Sequence, residues 1–150
     1  MRTVTRTLIA TLLLTVPMIG TALAGPVNKT TLGGVAIKGY DPVAYFVDQA
    51  PTKGSKKIEF EWKGATWRFS SDANRQKFQS DPEKFAPQFG GYCAWAVSQG
   101  YTANIDPDAW TIHDDRLYLN YNLDVRKTWL EDRDNLIEVA TKNWPELRDK

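Results

Sequence analysis

Cysteine and histidine are nearly absent from this 150-residue chain, which carries one of each, Cys93 and His113. A single cysteine excludes a disulfide within the chain, a CxxC redox pair and a cysteine-rich zinc site. A single histidine, with no Ser-His-Asp order around it, leaves a hydrolase triad without its parts. Phosphate loops and dinucleotide fingerprints are missing as well. Charge of one sign is also lacking. With 19 basic and 18 acidic residues the formal charge is +1, too even to form an electrostatic footprint for nucleic acid or anionic lipid.

Long apolar runs are absent except at the start. Residues 1–24 carry Arg2 and Arg6 and no acidic residue, run apolar over 8–14, and end in Ala22-Leu23-Ala24. That basic, apolar, small-residue order reads as a signal peptide cleaved after Ala24. Its apolar part is shorter than the ~20 residues a bilayer span needs, and Pro17 and Gly20 interrupt it, which argues against an uncleaved anchor. The arginines are not adjacent, so twin-arginine export is not indicated. The expected product is a soluble protein in the periplasm or secreted, with no membrane anchor, starting at Gly25. Losing Arg2 and Arg6 moves its formal charge to −1. In an oxidising compartment an unpaired Cys93 is buried and inert, paired with another molecule, or kept for its chemistry.

Residues 25–39 are polar and glycine-rich and read as a flexible N-terminal arm, in which Asn28-Lys29-Thr30 fits the glycosylation acceptor pattern. Asp41-Pro42 signals a turn or helix start before Val43-Ala44-Tyr45-Phe46. Alternation at Ile58, Phe60 and Trp62, a Lys63-Gly64 turn, then Trp67 and Phe69 predict a β-hairpin. Ser70 or Ser71 caps a helix reaching Phe85, interrupted at Asp81-Pro82 and ended by Pro87. After the Gly90-Gly91 hinge, residues 92–97 predict a short buried helix closed by Gly100. Residues 101–109 read as a loop, and 110–112 with 117–119 as a second hairpin around Asp114-Asp115. Apolar spacing from Asn122 onward predicts a helix that Asn143-Trp144-Pro145 stops. These elements make a small α+β single domain, short antiparallel hairpins packed with helices.

The segment 39–46 (GYDPVAYF), Trp67-Arg68-Phe69-Ser70-Ser71, Asn74, Phe78 and 81–87 (DPEKFAP) resemble a YHS domain. The continuation Gly90-Gly91-Tyr92-Cys93-Ala94, then Asp106-Pro107, 117–122, Trp129 and Asn143-Trp144-Pro145, resembles the exported YHS-domain (seleno)proteins of bacteria. The resemblance covers about residues 33–147, with the domain itself at 40–147, and implies a transition metal ion as cofactor. Metal-binding YHS domains place cysteines where this chain has Ala44, Ser70 and Asn74, none of them a soft ligand, so the implied zinc or copper site is largely lost. What carries over is Cys93, which stands where some members have selenocysteine. A position in the first turn of a helix would favour its thiolate.

The expected function is a metal- or small-ligand-binding module, or sensor, centred near Cys93, with no enzymatic machinery identified. Candidate ligand-binding residues are Cys93, Tyr92, Tyr40, Asp41 and Trp110, with Cys93 also the candidate metal ligand. The alternatives are a thiol redox protein that uses Cys93 with a partner protein, or a non-catalytic envelope accessory in which Cys93 is inert. A Cys93–His113 pair is weighed and set below a solvent-facing His113 at a hairpin edge. The many tyrosines and tryptophans are expected mainly in the core.

Overall fold

The computed structural model describes residues 25–150; the leader assigned to residues 1–24 lies outside the described residues. In chain order the elements are α1 (Ala44–Val47), β1 (Ser55–Trp62), β2 (Ala65–Phe69), α2 (Asp72–Ser80), α3 (Pro82–Phe85), α4 (Ala94–Ser98), β3 (Asp106–His113), β4 (Arg116–Asn120), α5 (Leu123–Glu131) and α6 (Arg133–Arg148), with 3-10 turns at Ile37–Gly39 and Gln88–Gly91. The strands form two separate antiparallel hairpins, β1-β2 and β3-β4. The α+β reading is thus the observed architecture. Among the described residues no helix is long and apolar enough to cross a membrane.

Local chemistry accounts for most boundaries. Lys63 and Gly64 both take positive φ, the backbone that a two-residue hairpin turn requires. Asp114 and Asp115 do the same at the second hairpin, where a short polar side chain tolerates the left-handed region. Of the two serines before α2, Ser71 is the cap, its Oγ accepting from the Asn74 N–H at 3.1 Å. Asp81 then caps α3 and Pro82 opens it, so the interruption falls where expected.

Three expectations about element boundaries fail. The helix from Asn122 divides at Asp132, whose non-helical φ of −137° and ψ of 36° separate α5 from α6. Pro145 does not stop α6, which continues to Arg148. Thr141 and Pro145 are both exposed, so the bond that proline cannot donate is lost on the solvent side, where water satisfies the carbonyl. Residues 106–109 belong to β3 rather than to a loop, and a bulge between Asp106 and Trp110 accommodates Asp106-Pro107-Asp108.

The larger core cluster gathers Ile37, Val43, Tyr45, Trp67, Phe69, Phe78, Cys93, Leu117 and Leu119. Phe78 is its hub, with the rings of Trp62, Trp67 and Phe69 centred 5.1–5.6 Å away. A second cluster joins Phe89, Val97, Tyr118, Trp129, Ala140 and Leu147. It fixes α4 against α6, and the Asn143 side chain donates to the carbonyls of Val97 and Ser98 at 3.0 and 3.1 Å. Both carbonyls sit at the end of α4, where Val97 also accepts from the Gly100 N–H at 3.1 Å, so α6 is tied to the helix terminus.

The segment 25–39 is not a flexible arm. Val27, Asn28, Val35, Ala36 and Ile37 are buried, and Ala36 N–H donates to the Thr66 carbonyl at 2.9 Å. Asn28 N–H donates to the Gly90 carbonyl at 2.8 Å, while its side-chain amide donates to the Gly91 carbonyl at 3.0 Å. With that amide bonded inward and the residue 7% exposed, Asn28 is no glycan acceptor. The approach is close enough that only glycine fits at the turn. A Cβ on Gly90, at φ +61°, would lie 2.2 Å from the Pro26 carbonyl oxygen.

Gly90→Ala is expected to cost clearly more than Gly100→Ala. Gly100 also has positive φ, +87°, but an added Cβ there would have no neighbour within 4 Å, so only backbone strain of about 1–2 kcal/mol applies. Gly90→Ala adds displacement of the 26–28 segment, for a total of roughly 3 kcal/mol. Urea midpoints measure both; equal losses would contradict a clamped N-terminal segment.

Candidate functional site

Asp41 is 0% exposed, and a buried carboxylate must be fully hydrogen-bonded. Its Oδ1 accepts from the N–H groups of Val43 and Ala44 at 2.9 and 3.3 Å. Its Oδ2 accepts from the Ser70 N–H at 2.8 Å, the Ser70 hydroxyl at 2.7 Å and the Asn74 side-chain amide at 2.8 Å. The positions that the resemblance assigns to metal-binding cysteines, Ala44, Ser70 and Asn74, therefore do converge. They converge on a carboxylate, and they aim N–H and O–H donors at it. Donors arranged this way hold an anion and offer a cation nothing, so the residues present do not fit the implied metal.

Cys93 is 1% exposed. Its Sγ lies 3.7 Å from Asn120 Oδ1, and the same oxygen accepts from the Trp95 N–H at 3.2 Å. Its backbone N–H donates to the Ala103 carbonyl, and a parallel bridge joins it to Leu119. Burial pushes the thiol above its ordinary pKa, and backbone groups of Ala96, Tyr121 and Trp95 only partly offset this. The thiolate expected from a helix start is thus reversed. The helix Cys93 precedes has five residues, a weak dipole, and desolvation wins. Asn120 Nδ2 is buried without a partner. Among the described residues no group of three or more His, Cys, Asp or Glu is placed to hold a metal ion.

The other predicted residues do not assemble around Cys93. Tyr40 packs on the larger core with Lys53 Nζ 4.8 Å above its ring. Trp110 packs on Tyr45, centroids 5.5 Å apart, and the buried Tyr45 hydroxyl donates to the Pro107 carbonyl at 3.0 Å. Burial raises the Tyr45 hydroxyl pKa far above its ordinary value, helped by Tyr40 and the nearby carboxylates. Tyr92 belongs beside the second cluster, 6.0 Å from the Trp144 ring. His113 is not paired with Cys93: its Nε2 lies 3.3 Å from both Asp114 and Asp134. Nor does it face solvent freely, its side chain being 23% exposed.

A cleft of about 770 Å³ opens elsewhere, and its walls come from distant parts of the chain. Buried Val27, Trp67, Ala86 and Phe89 form its floor, half-buried Trp62 and Trp144 its sides, and the exposed cations Lys29, Lys63, Arg116 and Arg148 its rim. Lys63 pairs with Glu83 at 2.7 Å and stands 4.3 Å over the Trp62 ring. Lys29 Nζ donates to the Gly64 carbonyl. Phe89 holds a positive φ of 55°, strain of the kind stored at functional positions. Cys93, Tyr92, Tyr40, Asp41 and Trp110 do not line this cleft, whereas Trp67, one of the aromatics expected mainly in the core, does. Its members are spread over positions 26–149, and no local spacing signals them. A near-zero net charge conceals the local excess of cations.

Residues 43–89 match the YHS domain family. No curated protein and no solved structure matches the chain. The matched segment contains Asp41's donors Val43, Ala44, Ser70 and Asn74 and one wall of the cleft; Cys93 lies beyond it.

Asp41→Ala should leave five donors without their acceptor and cost about 4 kcal/mol or more, and Asp41→Asn about 2–3 kcal/mol, since an amide turns N–H against N–H. Urea unfolding of both variants checks the order. For Cys93, alkylation by iodoacetamide at pH 8 is expected to run at least about a hundredfold slower in the folded protein than in urea. The folded thiol holds its proton to higher pH than the unfolded one. Its contribution is therefore full below the ordinary thiol value of about 8.5 and declines as pH rises through it. Stability measured from pH 7.5 upward should fall more steeply for the natural protein than for Cys93→Ala. Equal slopes would place the thiol in water.

Proposed function

We propose that this chain is an exported binding module whose small-molecule site is the cleft at the seam between the YHS-matched segment and its flanks. The observation that carries the reading is the composition of the two walls. Trp62, Trp67 and the 83–89 stretch come from within the match, and Val27, Lys29, Trp144 and Arg148 from outside it. An apolar floor, aromatic sides and a few convergent charged groups in a few hundred Å³ are the ordinary make-up of a ligand pocket. The buried hydrogen bonds of Asn28 hold the second wall in place, so the cleft is preformed and a ligand need not order it.

On this reading Cys93 works as a core side chain. The metal and thiol-redox alternatives both need a side chain that reaches a partner. Cys93 has a buried amide for a neighbour and a protonated sulfur at neutral pH, which weakens it as ligand and as nucleophile alike. Export is supported by the order of features in residues 1–24.

A fragment library screened by amide and indole NMR shifts tests the site. Hits are expected to move the indole signals of Trp62 and Trp144 and the amides of Gly64 and Gly90, and to leave Cys93 and Asn120 unmoved. Thr141→Trp, on the exposed face of α6 at the cleft, should abolish those shifts with little change in melting temperature. Hits that move Cys93 and Asn120 instead would overturn the assignment.

A further inference from the structure

The rim of the cleft carries four cations and two carboxylates. Glu83 is taken by Lys63 at 2.7 Å and Asp149 by Arg148 at 3.4 Å. Lys29 and Arg116 are left with carbonyl partners only, the Gly64 backbone oxygen at 2.6 Å and the Gln88 side-chain oxygen at 3.4 Å. Among the described residues neither has a carboxylate within 4 Å, and residues 1–24 contain no acidic side chain that would supply one. Two uncompensated positive charges thus face one cavity on a chain whose charge over residues 25–150 is −1. A field of that kind, above low-dielectric aromatic walls, selects the sign of what enters.

Resting on the cleft reading above, we infer that the site takes a small organic anion with an aromatic or fused-ring body. The ring lies against Trp62, Phe89 and Trp144, and the acidic group, a carboxylate, sulfonate or phosphate, faces Lys29 and Arg116. Aromatic sides favour a flat apolar body over a compact inorganic anion, because ring-on-ring contact contributes beyond the area it buries. The Arg116 guanidinium offers paired N–H groups suited to a two-oxygen acid, and Lys29 adds a point charge on the same rim.

Calorimetric titration with naphthalene-2-sulfonate, naphthalene-2-methanol and 2-naphthylmethylammonium compares one ring system with negative, zero and positive charge. The sulfonate should bind at least about tenfold more tightly than the alcohol, and the ammonium more weakly than either. Raising salt from about 0.05 M to about 0.5 M should narrow the gap, because the screening length contracts to a few Å. The double variant Lys29→Gln/Arg116→Gln should remove the preference for the sulfonate and keep binding of the alcohol. Equal affinity for sulfonate and alcohol, with both moving the Trp62 and Trp144 signals, overturns the anion assignment and leaves the cleft reading standing. Absence of any shift at those indoles with all three compounds overturns both.

Discussion

The Asp41 carboxylate is the interaction on which the first half of the molecule depends. It is buried without a counter-charge in contact, and folding is permitted only because five N–H and O–H groups converge on it. Those donors belong to the start of α1, the end of β2 and the first turn of α2, so the one side chain sets how three elements meet. Charged hydrogen bonds are about twice as strong as neutral ones, and shorter. Removing the acceptor strands every donor at once, which makes the network cooperative in failure. The same convergence explains why the chain departs from a metal-binding pattern without losing the geometry of that place. A negative centre ringed by donors does for α1, β2 and α2 what a cation ringed by thiolates would do.

A second constraint shapes the cleft. Residues 26–28 run so close to Gly90 that a methyl group there would meet the Pro26 oxygen, and Asn28 bonds both Gly90 and Gly91. This contact closes one side of the cleft next to Phe89, whose own backbone is left-handed. The glycine at 90 is a consequence of that close backbone approach. Dynamics follows from it: a segment tied by buried hydrogen bonds opens only with the core around it, so the cavity is as rigid as its floor.

Hairpins, caps and the fold class are legible in the sequence because their signals are local. Lys63-Gly64, Asp114-Asp115 and Ser71 each act through bonds within a few residues, so nearby residue types suffice to signal them. The continuation of α6 through Pro145 is not legible, because it turns on which side of the helix loses a hydrogen bond. The N-terminal segment misleads for a related reason. Gly33, Gly34 and Gly39 resemble linker composition, and only the tertiary partners Gly90, Gly91 and Thr66 reveal the segment as a wall. Asp41 stands out in the sequence, and in the structure its carboxylate is occupied by five donors from the chain itself. A lone acidic residue before proline carries no mark that distinguishes a buried acceptor from a site.

Cys93 and the cleft show how chemical reactivity and position part company. The sequence makes Cys93 conspicuous by rarity, yet rarity is a property of composition, and reactivity is a property of surroundings. At Cys93 burial favours the neutral thiol and outweighs the backbone groups of Ala96, Tyr121 and Trp95, which favour the thiolate. At the cleft the residues are common types, lysine, arginine, tryptophan and phenylalanine, none conspicuous alone. The proposed binding rests on juxtaposition: two cations lacking carboxylates, above an apolar floor. Binding sites of this kind are written in long-range contacts, and a chain with nearly equal numbers of positive and negative residues hides them until it folds.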